Sequence, residues 1–168
     1  RSYLHEYVLH KFWQQIDVLT TRYEFIQMSS TEHPSRLYAL EEHFDKILLE
    51  SQKRREGPIL KFSESGFWQY EKRQGYLDIV NRSDHLANPV RTLGAAPVES
   101  FQQGKILDSL GMKAAFETGR SLLSQYRDET ISAVEVFDLD RMAKFYASLD
   151  IFAAHHSSQW NNLRFYFN

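Results

Sequence analysis

The sequence predicts an α+β fold, in which a small antiparallel sheet has flanking helices and the second half of the chain is mainly helical. Three observations favour this class: apolar residues recur at helical spacing near the start, alternating segments follow around turn residues, and helical spacing returns after residue 98. The 168 residues are 42% apolar and 14% aromatic, which is enough to bury one sizeable core. We therefore expect a single domain, and the initial Arg1 suggests a fragment of a larger one.

The first elements should be a helix and a β-hairpin. Apolar and aromatic side chains fall at helical spacing over residues 2–17, which predicts an amphipathic helix. Residues 22–28 alternate, and turn residues 31–35 separate them from a second short apolar segment that begins at Leu37. This order of extended segment, turn and extended segment is typical of a β-hairpin.

A short helix and a further strand should follow the hairpin. Residues 44–51 continue at helical spacing, and the cations of Lys53–Arg55 favour a helix C-terminus because of the helix dipole. The pair Gly57-Pro58 stops that helix. Residues 59–62 then alternate and are predicted to form a strand.

The rest of the chain should pass from loop to helix and end in a strand. Residues 63–97 are polar and punctuated by Gly and Pro, so we expect mostly loop there. Residues 98–126 show helical spacing, interrupted or bent near one of their three glycines. Asp138 or Asp140 can cap a further helix, and the alternation over residues 163–167 predicts a final strand.

Charge and motif content exclude several classes of function. Twenty basic residues against 22 acidic ones give no basic footprint of the kind that nucleic-acid binding needs. The chain has no cysteine, so disulfides and thiolate metal sites are excluded. No run of about 18 apolar residues is present, and we expect no membrane-spanning segment. The Gly-x-Ser-x-Gly elbow, the phosphate-binding P-loop and the His-Glu-x-x-His zinc motif are also absent.

Three segments carry the most distinctive pattern in the chain. They are Leu37-Tyr-Ala-Leu-Glu-Glu-His-Phe-Asp-Lys46, Gly57-Pro-Ile-Leu-Lys-Phe62 and Trp160-Asn-Asn-Leu-Arg-Phe-Tyr-Phe167. Together they resemble the CotH spore-coat protein kinases, which are atypical members of the protein-kinase fold. The resemblance describes one partial domain: a cleft-forming part over 1–62, a loop-rich segment over 63–97, and a mainly helical part over 98–168 that ends in a catalytic-loop-like strand.

The resemblance implies a protein that binds ATP with a divalent cation, Mg²⁺ or else Mn²⁺ or Ca²⁺, and transfers phosphate to protein Ser or Thr. Asn162 matches the asparagine that follows the catalytic loop of that fold and holds metal. The catalytic aspartate of the loop comes about five residues earlier, where this chain has Ser157. The neighbouring His155 or His156 could accept a proton near neutral pH in its place.

The resemblance also implies a set of nucleotide-binding residues. Glu41 and Glu42 would lie along the nucleotide cleft, and Lys61 would supply a cation. Glu6 would be the helix carboxylate that pairs with a strand lysine. A second interpretation stays open for most of them: Glu41 and Glu42 can be solvated charges near a helix N-terminus, and Lys61 an exposed strand residue.

A non-catalytic binding domain is the alternative from another class. Ser157 replaces the catalytic carboxylate, and such a domain would use Trp68, Tyr70 and Tyr76 to engage a protein or glycan partner. The kinase interpretation implies a protein substrate instead. Composition leaves the compartment open, and the resemblance alone suggests an exported or cell-surface bacterial protein.

Overall fold

The chain is mixed α+β, as predicted, and its described strands form two small antiparallel sheets where one was expected. The computed structural model describes residues 3–31, 34–66, 68–69 and 93–168. In chain order the elements are α1 (Tyr3–Gln15), β1 (Tyr23–Met28), β2 (Arg36–Glu41), α2 (Lys46–Ser51), β3 (Ile59–Phe62), β4 (Val98–Ser100), α3 (Gln103–Asp108), α4 (Leu110–Arg127), α5 (Ala133–Val136), α6 (Leu139–Ile151), a 3₁₀ helix (His155–Ser158) and β5 (Phe165–Tyr166). Within those ranges, no helix combines the length and the apolar character that crossing a bilayer requires.

These elements divide into two compact units. The first unit comprises Arg1–Glu56 and Asp138–His155, and the second comprises Gly57–Phe137 and His156–Asn168. Neither unit is therefore one continuous stretch of chain, because α6 belongs with the N-terminal elements.

The core of the first unit lies between α1 and α6. Helical spacing places Leu9 and Trp13 on one face of α1, and both are buried with Leu149 of α6. The indole Nε1 of Trp13 donates a hydrogen bond to Ser148 Oγ across 2.6 Å. The polar atom of this large side chain is thus satisfied inside an apolar core.

The predicted hairpin is confirmed as the two-stranded antiparallel sheet of β1 and β2, in which Tyr23 pairs with Glu41. β1 rests on α1 through Phe25, whose ring centroid lies 5.6 Å from that of Tyr7. Two residues of the predicted turn, 32–33, lie outside the described residues. Side chains alternate along a strand, so the second face of this ribbon points away from α1.

The sheet of the second unit has the order β4–β3–β5, and both neighbours are antiparallel to β3. Helix α4 packs against this sheet at Gly119, where an added Cβ would lie 2.6 Å from Leu60 Cδ1 and 3.2 Å from Phe167 Cγ. The side chains buried in this core are Leu60, Phe62, Ala96, Val98, Ile106, Phe116 and Leu123.

Some boundaries differ from the predicted ones. The predicted helical region starting at residue 98 begins instead with strand β4, because Val98–Ser100 pairs with β3 and three residues are too few to show a period. The interruption between α3 and α4 lies at Ser109, whose backbone is extended, near Gly111. Helix α2 ends at Ser51, before the cations that were expected to lie at its end.

Two further predictions concern a cap and a loop. Asp138 is the cap of α6, and its carboxylate accepts a hydrogen bond from Arg141 N across 3.2 Å. Most of the predicted loop over 63–97 lies outside the described residues, although residues 65–66 and 68–69 are helical.

Candidate functional site

Two of the three distinctive sequence segments are neighbours in the second unit. Strand β3 pairs with β5, so that Leu60 lies opposite Phe165, and Phe167 N donates to Pro58 O across 3.1 Å. The approach is close at Gly57, where an added Cβ would lie 2.2 Å from Phe167 O. Glycine is therefore required at this position for the two segments to meet as they do.

The segment before β5 forms a short loop that is braced by its own hydrogen bonds. Asn162 Nδ2 donates to His156 O across 2.9 Å, and Asn162 N donates to Gln159 O across 2.8 Å. Because Nδ2 is the donor, the oxygen Oδ1 is the atom of Asn162 that could coordinate a cation. The 3₁₀ helix brings Ser157 and His156 into the same loop, with Ser157 partly buried and His156 exposed.

Two cations lie over one aromatic ring next to this loop. The Nζ of Lys61 is 5.4 Å from the centroid of the Phe101 ring, and the guanidinium carbon of Arg164 is 5.6 Å from it. Arg164 also donates to Asn161 O across 2.8 Å and lies 3.5 Å from a carboxylate oxygen of Glu64. Lys61, on β3, and Arg164, two residues past Asn162, thus share one surface of the second unit.

Sequence reasoning missed Arg164 and Phe101. Arg164 was present in the terminal segment, and its place two residues after Asn162 was the signal that could have identified it. No local pattern singles out Phe101, because it contacts the two cations only through the tertiary structure.

The three predicted glutamates lie in the first unit, and each accepts a hydrogen bond there. Tyr23 Oη donates to Glu6 Oε2 across 3.1 Å, and Thr21 Oγ1 donates to Glu41 Oε1 across 2.8 Å. Tyr23 and Glu41 pair across the two strands, so Glu6 and Glu41 lie toward the same face of the ribbon.

Glu42 is held by Arg22. The guanidinium Nη2 lies 2.5 Å from Glu42 Oε1, and Arg22 N also donates to the second carboxylate oxygen across 3.2 Å. The hydrogen bond to Glu42 raises the pKa of the Arg22 guanidinium above its ordinary value. The Glu42 side chain is only 10% exposed, so this pair fixes its position at the end of the ribbon.

The seven predicted site residues consequently fall into two groups. Glu6, Glu41 and Glu42 belong to the first unit. The others, Lys61, His156, Ser157 and Asn162, belong to the second, where the β3–β5 pairing brings the strand of Lys61 next to the segment that follows Asn162.

The loop offers Asn162 Oδ1 as the ligand that the resemblance implies for a divalent cation. Among the residues that the structure describes, no three His, Cys, Asp or Glu side chains converge on a possible metal position. Mg²⁺ is commonly bound by one or two carboxylates together with substrate phosphates and water. The described loop offers Asn162 Oδ1 and no completed ligand set, so its fit to the implied metal is partial.

An exposed apolar surface lies on the ribbon face that points away from α1. In the antiparallel register Ile26 lies opposite Tyr38, and Met28 and Leu40 flank that pair on the same face. Met28, Tyr38 and Leu40 are about half exposed. We call these four side chains the apolar ribbon face.

No known family model, curated protein or solved structure matches this chain. The resemblance to CotH kinases therefore depends on the three sequence segments alone. The candidate site is defined by the geometry of the second unit.

Proposed function

We propose that this chain is the core of a CotH-like atypical protein kinase, which binds ATP with a divalent cation and transfers phosphate to protein Ser or Thr. The observation that carries the proposal is the pairing of β3 with β5. Strand β3 carries Lys61, the segment that follows Asn162 carries Arg164, and both cations lie over the Phe101 ring. Cations in such a position would stabilise the negative charge of nucleotide phosphates.

The loop residues would have different roles in binding. Asn162 Oδ1 would be a ligand of the divalent cation, and the hydrogen bond from Asn162 Nδ2 to His156 O holds the side chain in one orientation. Lys61 and Arg164 are positioned by the Phe101 ring, an interaction of about 0.5–2 kcal/mol that restricts where their charges lie. The bound cation supplies charge neutralisation at the phosphates.

Proton transfer would fall to His156. It is exposed and adjacent to Ser157, which the sequence resemblance matches to the usual catalytic aspartate. A serine hydroxyl is a poor proton acceptor near neutral pH, whereas an imidazole is a good one. His156 would accept the proton of the substrate hydroxyl as that oxygen forms its bond to the γ-phosphorus of ATP, while the bond from the γ-phosphorus to the β–γ bridging oxygen breaks and ADP leaves.

A second candidate function is a catalytically inactive, pseudokinase-like domain that binds a protein or glycan partner. Ser157 favours it, because no carboxylate stands at the catalytic position. The exposed apolar ribbon face also favours it. Of the aromatic residues predicted for this role, Trp68 is 52% exposed, and Tyr70 and Tyr76 lie outside the described residues.

Calorimetric titration of magnesium-ATP into the protein tests the kinase proposal. We expect micromolar binding, which corresponds to about −8 kcal/mol. Lys61→Ala and Asn162→Ala should each weaken it about tenfold or more, because each removes a charge-assisted contact. Lys105→Ala is the matched control, since it removes an exposed lysine of the same unit.

Transfer of labelled γ-phosphate to a dephosphorylated acceptor protein completes the test. His156→Ala should abolish transfer and leave magnesium-ATP affinity unchanged. No binding at millimolar nucleotide would overturn the kinase proposal and favour the binding domain. Binding without any transfer would support the pseudokinase candidate.

A further inference from the structure

A cavity of about 400 Å³ lies in the second unit, between α4 and the beginning of β4. Its lining side chains on α4 recur every three or four residues, so they share one face of the helix. The α4 residues of the lining are Glu117, Arg120, Ser121, Ser124 and Arg127. Pro97 and Val98, at the beginning of β4, complete the lining. The volume lies within the range of about 300–1,000 Å³ that is typical of small-ligand sites.

Arg127 is the more rigidly held of the two arginines. Its Nη1 donates to Ala96 O across 2.7 Å, and its Nε and Nη2 donate to the two carboxylate oxygens of Asp128 across 2.8 and 3.2 Å. Its side chain is 16% exposed. These bonds use three of the five N–H groups of a guanidinium, so within the described part of the chain two remain for a ligand.

Arg120 is placed by the ring of Phe116, whose centroid lies 5.8 Å from the guanidinium carbon. It also forms an ion pair with Glu117, one helical turn earlier. Both side chains of that pair are about half exposed, and such surface pairs contribute little to stability. Arg120 can therefore exchange Glu117 for an anionic ligand at small cost.

Two hydroxyl groups complete the polar lining. Gln125 Nε2 donates to Ser121 Oγ across 3.0 Å, which leaves the Ser121 hydroxyl proton to be donated elsewhere. Ser124, one helical turn along, supplies the second hydroxyl. The cavity thus presents two guanidiniums and two hydroxyls, and each guanidinium is paired with a carboxylate: Glu117 in the lining, and Asp128 beside it.

We propose that this cavity binds the phosphate group of a phosphate monoester. Such a group carries about two negative charges and three terminal oxygens, which matches two guanidinium forks and two hydroxyl donors. A carboxylate, with one charge and two oxygens, would use fewer of these donors. The site is independent of the proposed nucleotide site, because it uses none of Lys61, Arg164, His156 or Asn162.

Calorimetric titration with a short neutral peptide that contains one phosphoserine tests this site, with the same peptide unphosphorylated as reference. We expect only the phosphorylated peptide to bind. Arg120→Gln should weaken binding about tenfold or more, because it removes a charge-assisted contact. Glu117→Gln should strengthen binding, because it removes the competing carboxylate. The change should leave the fold intact, since the Glu117 side chain is about half exposed.

The matched control is Lys113→Gln, which removes a positive charge from an exposed position of the same helix outside the cavity. Its affinity should equal that of the original protein. Equal losses in Arg120→Gln and Lys113→Gln would overturn the proposal, since nonspecific attraction would then explain binding. Binding of both peptides alike, or of neither, would overturn it as well.

Free phosphoserine and inorganic phosphate form two further arms that distinguish the sources of the phosphate. If the peptide binds more tightly than free phosphoserine, the site is assigned to phosphorylated protein segments. If the two bind equally, it is assigned to small phosphorylated molecules. Both assignments require that Arg120→Gln weakens the binding. Arg120→Gln should leave magnesium-ATP affinity unchanged. Failure of the phosphate site is thereby separated from failure of the kinase proposal.

Discussion

The two units use their charged residues in different ways. In the first unit Glu6, Glu41 and Glu42 each accept a hydrogen bond from a neighbour that ties the ribbon to α1 or to the preceding segment. In the second unit Lys61 and Arg164 lie over an aromatic ring. The carboxylates of the first unit thus have a sufficient structural role. The cations of the second unit are partly exposed, and Arg164 also lies 3.5 Å from Glu64.

This difference bears on where phosphate would be held. Carboxylates repel phosphate unless a metal lies between them, while lysine and arginine attract it directly. A second pair of cations, Arg120 and Arg127, lines a cavity of the same unit. The comparison therefore points to the second unit as the place to look for bound phosphate groups.

Gly57→Ala would have the largest effect, because it acts on the junction that forms the candidate site. The added Cβ would meet Phe167 O at 2.2 Å and Tyr166 Cε2 at 2.9 Å, and backbone cannot move aside cheaply. We expect a loss of about 3 kcal/mol in the free energy of unfolding, measured by urea denaturation. Gly104→Ala is the control, since its Cβ would meet nothing within 4 Å. A stable Gly57→Ala protein would show that β3 and β5 need not approach so closely.

Trp13→Phe tests how much the core between α1 and α6 stabilises the first unit. The change removes the hydrogen bond to Ser148 Oγ and part of a buried ring, and we expect a loss of about 1–3 kcal/mol in the free energy of unfolding. The double variant with Ser148→Ala measures the hydrogen bond itself, because the two losses should not add. Strict additivity would mean that the 2.6 Å contact contributes nothing.

The elements predicted well from sequence are those with a strong local signal. Helix α1 was visible from its spacing, the hairpin from its alternation and turn residues, and α6 from a cap at Asp138 or Asp140, of which Asp138 is the cap observed. Strand β4 was missed, because its three residues form a strand only by pairing with β3. The return of α6 to the first unit was missed for the same reason: no local pattern encodes which elements pack together.

The candidate site likewise contains a part that the sequence predicts and a part that depends on tertiary structure. His156, Ser157 and Asn162 are close in sequence, and the resemblance to the kinase catalytic loop implied that they share one loop. The approach of Lys61 to Arg164 could not, because it depends on the β3–β5 pairing and on Phe101. The cavity was also missed. The helical spacing of its α4 residues is visible in the sequence, but the position of Pro97 and Val98 opposite them is not.

Glu42→Gln tests whether this glutamate has only a structural role. If the residue is structural, the change weakens its ion pair with Arg22 and the hydrogen bond from Arg22 N, and the free energy of unfolding should fall slightly. Magnesium-ATP affinity, measured by calorimetry, should stay unchanged. Arg22→Gln is the matched control, because it weakens the same pair from the other side. A tenfold loss of nucleotide affinity in Glu42→Gln alone would assign Glu42 to the nucleotide site, as the sequence resemblance implied.

Asp17→Asn should have the smallest effect, and one confined to a pH range. A hydrogen bond from Arg141 and the nearby Arg54 guanidinium hold the pKa of Asp17 below its ordinary value. The stabilisation is therefore present above the unfolded-state pKa of about 3.9 and is lost as pH falls through the lower folded-state value.

Asparagine suits this test because it removes the charge and tolerates the left-handed backbone of residue 17, where φ is 63°. Thermal unfolding between pH 2 and pH 7 should show the variant slightly less stable above pH 5, with the two curves converging in acid. The effect stays small because the Asp17 side chain is 61% exposed, so water and salt screen its ion pairs. A constant gap at every pH would instead assign the loss to packing, and the charged network of the first unit would then carry no measurable stability.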